Sequence, residues 1–201
     1  MKSNVCKIEK GIKYLAAILK ESEKVAAYNE LTHKQTLQLR LLCEELDGML
    51  PNVIGDYDGE LWFEYENGVC KINASITIAD FNATDRRELI ALAKNKKNAS
   101  AVGVVGKIRS ALEGFFLNEK GLVPVESTMD FLPMATGYND GAVGYSYYWS
   151  LEQYRTIYVE KEREMPEWDA LEKSVIAAVA DDIIIGIKGR QADIVIVKKF
   201  A

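Results

Sequence analysis

The stretch "LWFEYENGVCKINASITI" (61–78) limits the fold more than any other part of the chain. Leu61, Phe63 and Tyr65 alternate with Trp62, Glu64 and Glu66. Beyond Asn67-Gly68, Cys70, Ile72, Ala74, Ile76 and Ile78 alternate with Lys71, Asn73, Ser75 and Thr77. A period of two sends one set of side chains to one face of a sheet. Asn-Gly suits a tight hairpin because both turn positions need positive φ. The apolar face of such a hairpin has to be covered by a second layer. Asp80 shares the parity of the apolar set. A strand reaching that far turns a carboxylate toward the core side, where it must find partners. A strand stopping at Ile78 leaves Asp80 in a turn or as the cap of the next helix.

The covering layer is expected from "THKQTLQLRLLCEELDGMLPNVI" (32–54), read as one long helix. Thr32 followed by Gln35 is a capping box that satisfies free amides at the helix start. Leu39, Leu42, Leu46, Met49, Leu50 and Val53 form one apolar stripe at helical spacing. Leu37 and Leu41 begin a second stripe, which continues into Glu44 and Gly48. A helix apolar on two sides is expected to be sandwiched. Glu44 then stands either at the solvated edge of a packed layer or facing a ligand, with Glu45 and Asp47 close by. Pro51 is expected to end or kink the helix near Leu50.

Around these elements, Ile8, Ile12, Leu15 and Leu19 predict a first helix reaching Tyr28, linked through 29–31 to the long helix. Thr84 caps a helix containing Leu89, Ile90 and Leu92. A basic polar loop follows over 94–101. Gly103 and Gly106 then open a helix beside Lys96, Lys97 and Lys107. Bare amides and a helix dipole there suit phosphate, or the glycines simply allow close backbone packing. A last helix is expected over 168–180, with Leu171, Val175 and Val179 inward. "IIIGIKG" and "ADIVIVKKF" form a closing hairpin turned at Gly189-Arg190.

The 201 residues suit a single domain over 1–201, with 117–167 as an irregular, tyrosine-rich insertion within it. A strand is expected through 147–160. The tyrosines suit a partner surface or cover the domain's own sheet. A net charge of -5 argues against nucleic-acid binding through bulk charge. No apolar run approaches the ~20 residues that span a bilayer, so no membrane role is expected. The opening residues lack the pattern of a signal peptide. Cys6, Cys43 and Cys70 show no CxxC spacing, which fits reduced thiols and a cytoplasmic location. His33 is the one histidine, so a metal site would be built from oxygen ligands.

The order is helix, long helix with a carboxylate, hairpin ending in Asp, short helix, polar loop, glycine-entered helix and final hairpin. This order resembles the ATP-binding domain shared by DNA gyrase, ninety-kilodalton heat-shock chaperones, sensor histidine kinases and mismatch-repair ATPases. The resemblance covers roughly 30–116 and 182–200. It implies an α+β fold, a two-layer α/β sandwich with a mixed, mostly antiparallel sheet and helices on one face. The family's Glu-x-x-x-Asn box is matched by Glu44, with Gly48 where the Mg²⁺-holding asparagine stands. Its Asp-x-Gly-x-Gly box is matched by Asp80, with Asn82 and Thr84 in the glycine positions. Gly103 and Gly106 are similar to the glycines closing the family's lid.

The resemblance implies ATP and Mg²⁺ as ligands. Glu44 would be catalytic and Asp47 would supply an oxygen to the metal. Asp80 and Asn82 would line the adenine site, while Gly103, Gly106 and Lys107 would hold phosphates. Two functions follow. One is a weak ATPase or regulatory kinase. The other is a non-catalytic relative that binds a protein partner, or a second copy as a homodimer, through the 117–167 insertion.

Overall fold

The computed structural model describes residues 1–53, 56–80, 147–153, 155–156, 175–188 and 190–200, with the backbone alone at 51–53, 78–80 and 147–148. In chain order the elements are β1 (Cys6–Glu9), α1 (Leu15–Tyr28), α2 (His33–Val53), β2 (Asp56–Glu66) and β3 (Val69–Asp80). They continue as β4 (Tyr147–Ser150), α3 (Val175–Val179), β5 (Asp182–Lys188) and β6 (Gln191–Lys199). The strands form one sheet in the order β1-β2-β3-β6-β5-β4. Every pairing among them is antiparallel. The helices pack on one face of this sheet, giving a two-layer α+β fold.

The two expected hairpins form its centre. Glu66 pairs with Val69 across Asn67 (φ 50°) and Gly68 (φ 78°). Two positive φ values match the twist of the flanking strands. Lys188 pairs with Gln191, so β5 and β6 also close through two residues. Alternation then builds rows across the sheet. Phe63 lies opposite Ile72, Ile72 opposite Ile196, and Ile196 opposite Ile183. All four are fully buried. The next row runs Leu61, Ala74, Ile194, Ile185. Against these rows lie Leu39, Leu42, Leu46, Met49 and Leu50 of α2. Fully burying each large apolar side chain is worth about 1.5–3 kcal/mol.

The start of α2 forms as expected. Thr32 N–H donates to Gln35 Oε1 at 2.8 Å, and Gln35 N–H reaches Thr32 Oγ1 at 3.4 Å. The helix continues through Pro51 to Val53. Its second face is not buried: Leu37 is 50% exposed and Leu41 half-buried. This helix therefore lies on the sheet rather than between two layers.

Three other expectations are corrected. Ile8 is not helical; it is the buried residue of β1, and Ile12 is 57% exposed. Gly11, at φ +83°, carries the turn that separates this strand from α1. The strand at 147 stops at Ser150, and residues 151–153 and 155–156 are helical. Ser150 Oγ accepts from Gln153 N–H at 3.3 Å and donates to Asp182 at 3.1 Å, which caps that helix. In α3, Ile176 and Ala177 face inward, whereas Val175 is 44% exposed. The expected elements at 84–92, 94–101 and 103–115, Leu171, and most of the 117–167 insertion lie outside the described residues.

A buried carboxylate ties the N-terminal segment to α1. Glu21 accepts from Asn4 N–H (3.1 Å), Asn4 Nδ2 (2.9 Å) and Lys24 Nζ (2.7 Å). The Lys24 hydrogen bond is the main reason its carboxyl is held below the ordinary value; burial pulls the other way, and the Asn4 amide adds to the lowering.

Candidate functional site

Glu44 sits on the outer side of α2, away from the stripe that meets the sheet. Its Oε1 accepts from Arg40 Nε at 3.0 Å, and its side chain is 40% exposed. Arg40 also lies 3.9 Å from Glu23 of α1. An i,i+4 pair of this exposure is worth about 0.3–0.5 kcal/mol. Gly48, one turn further along, is exposed. Among the described residues, the space between α2 and the sheet is filled with hydrocarbon.

Asp47 lies elsewhere on the helix and reaches a polar cluster. Tyr14, just before α1, and Tyr57, near the start of β2, are both buried. Their hydroxyls are 2.7 Å apart, with either able to donate. Burial is the main cause that raises the Tyr14 phenol, helped by the Tyr57 hydrogen bond and the Asp47 carboxylate. Burial also raises Tyr57, with Asp47 adding to the rise and the Tyr14 hydrogen bond and Lys10 opposing it. At neutral pH both groups are therefore phenols, which donate hydrogen bonds and do not act as bases. Lys10 Nζ pairs with Asp56 at 2.9 Å beside them.

The sheet register ties this cluster to the end of β3. Tyr57 pairs with Ile78 and Asp56 with Asp80, across a bulge between Asp56 and Tyr57. The C-terminal half of α2, the start of β2 and the end of β3 thus meet at one end of the sandwich. Asp47 and the backbone of Asp80 are brought to that end. Sequence reasoning missed Tyr14 and Tyr57. Tyr57 carries the parity of Leu61 and Phe63, so extending the alternation backward through Gly59 would have found it. Tyr14 left no such signal, because its partner is 43 residues away.

The Asp80 side chain, Asn82, Gly103, Gly106 and Lys107 lie outside what is described. Among the described residues no three Asp, Glu, His or Cys side chains gather to hold a metal ion. Asp47 offers a carboxylate oxygen at this end, and Asp56 carries a second that is paired with Lys10. Cys43 and Cys70 are buried and Cys6 half-buried. Burial raises all three thiols, Cys70 to about 12, so none is a ready thiolate. No helix among the described residues is long and apolar enough to cross a membrane.

No protein family, curated protein or solved structure matches this chain.

Proposed function

We propose that this chain is an ATP-binding domain that seats its nucleotide where α2, β2 and β3 meet. The observation that carries the reading is one convergence. Asp47 stands beside the buried Tyr14–Tyr57 pair, and Tyr57 is the β2 residue paired with β3 two positions before Asp80. Asp47 and the backbone of Asp80, far apart in the chain, thus lie at one end of a two-layer sandwich. In this reading Asp80 bonds the adenine amino group. Tyr14 and Tyr57 fix the shape of the wall, and Asp47 offers an oxygen to a phosphate-bound Mg²⁺. Asn82, Gly103, Gly106 and Lys107 complete the adenine and phosphate contacts. No hydrolytic step through the metal follows, because among the described residues no three acidic, histidine or cysteine side chains gather to hold one.

A second reading draws on Glu44. Its pairing with Arg40 and the absence of a side chain at Gly48 favour a non-catalytic relative that binds a protein partner through 117–167.

Thermal melting with and without Mg·ATP separates the two. Nucleotide at 100 times its dissociation constant stabilises by about 2.7 kcal/mol. For a chain of this size that is a rise of roughly 5–11 °C in Tm. Asp80→Asn should abolish the rise. Glu44→Ala, on the outer side of α2, should leave the rise unchanged. No rise with millimolar ATP, ADP or GTP would remove the nucleotide reading.

A further inference from the structure

Among the described residues strand β1 is the first in the sheet order, so one of its edges meets no other described strand. Lys10 N–H donates to Tyr57 C=O at 3.1 Å. Antiparallel alternation then turns the amides and carbonyls of Cys6 and Ile8 toward β2 as well, and those of Lys7 and Glu9 away from it. The Glu9 carbonyl accepts from Ile12 N–H at 3.2 Å, closing the turn through Gly11. The outer edge therefore offers the N–H and C=O of Lys7 and the N–H of Glu9. Open groups of this kind are a template for another strand. The side chains of Lys7 and Glu9 are exposed, opposite in sign, and on the face away from buried Ile8.

We propose that β1 is a self-association edge, on which a second copy of this chain pairs antiparallel about a twofold axis at Ile8. The inference stands apart from the nucleotide reading and does not depend on it. In this register Lys7 lies opposite the partner's Glu9, and the symmetry repeats the pair. Each Glu9 N–H donates to the partner's Lys7 carbonyl. Each Lys7 N–H reaches the second lone pair of the partner's Glu9 carbonyl. Ile8, 1% exposed, stays covered within its own core, and the two sheets become continuous through the backbone ladder. Moving the axis one residue, to Lys7, would set two lysines against each other, so charge selects both the register and the occupant.

Sedimentation equilibrium of the full chain at low salt tests this. The expected result is a monomer–dimer equilibrium that shifts toward monomer as salt screens the pairs. Lys7→Glu and Glu9→Lys should each raise the dissociation constant by at least about tenfold, and the double swap should bring it back to within about threefold. Three results would overturn the proposal: a chain that stays monomeric at every concentration, a dimer indifferent to the single swaps, or a double swap that fails to recover association.

Discussion

Replacing Gly59 with alanine is expected to damage the sheet far more than its single methyl suggests. Gly59 lies in β2 between Ile8 of β1 and Ile76 of β3. A Cβ built there stands 2.3 Å from the Ser75 carbonyl oxygen and 2.9 Å from Ile76 Cα. Carbon–oxygen contacts across a sheet normally settle at about 3.3–3.6 Å. The overlap is thus about 1 Å, and it falls on backbone, which cannot rotate aside. Overpacking typically costs about 1–3 kcal/mol. Here relief requires moving β2 away from β3, so about 3 kcal/mol or more is expected. That corresponds to a Tm lower by about 6–12 °C for a chain of this length. Gly48→Ala is the control: a Cβ there meets nothing within 4 Å, and the position is helical and exposed. It should stabilise by about 0.4–1 kcal/mol. Urea unfolding of both variants measures the contrast. Gly59→Ala within about 0.5 kcal/mol of wild type, the range of an ordinary surface change, would refute the register of β2 against β3.

Two further outcomes concern stability. Glu21→Ala should cost about 1–3 kcal/mol at neutral pH, since it leaves the Asn4 donors without their acceptor. Because the folded carboxyl lies below its ordinary value, its contribution is present above that ordinary value and is lost as pH falls through the lower folded value. Asp181 acts in the same direction. Burial there works toward a higher value, but the Lys199 amide and the Lys198 ammonium outweigh it. Urea midpoints measured from pH 6 down to pH 3 should therefore fall less steeply for Glu21→Ala than for wild type. An unchanged acid slope would contradict the linkage. Thr32→Ala should cost about 1 kcal/mol by removing the cap of α2, as read by Tm; no change would mean that the exposed cap contributes nothing.

What could be read in the sequence was local. The Thr32–Gln35 box and the Asn67-Gly68 turn are each decided within a few residues, and both formed as expected. The closing hairpin was equally legible, because Ile and Val dominate both of its strands. The misreadings share one cause, which is a spacing that fits two structures. Ile8, Ile12, Leu15 and Leu19 recur at helical intervals, yet a strand and a turn intervene before α1. Leu37 and Leu41 fit a buried stripe, yet Leu37 is 50% exposed, and burial depends on tertiary neighbours that periodicity cannot name. The candidate site was only half visible. Asp47 stood out as a carboxylate on a helix. Its company of Tyr14 and Tyr57 arises from contacts between residues distant in the chain.

The nucleotide reading is tested most directly by following backbone amide resonances of the full chain during titration with Mg·ATP. Binding should produce shifts concentrated at Tyr14, Asp47, Asp56, Tyr57 and Ile78 to Asp80. Spectra that do not change, or change only near the opposite edge of the sheet at Trp149 and Ser150, would contradict it.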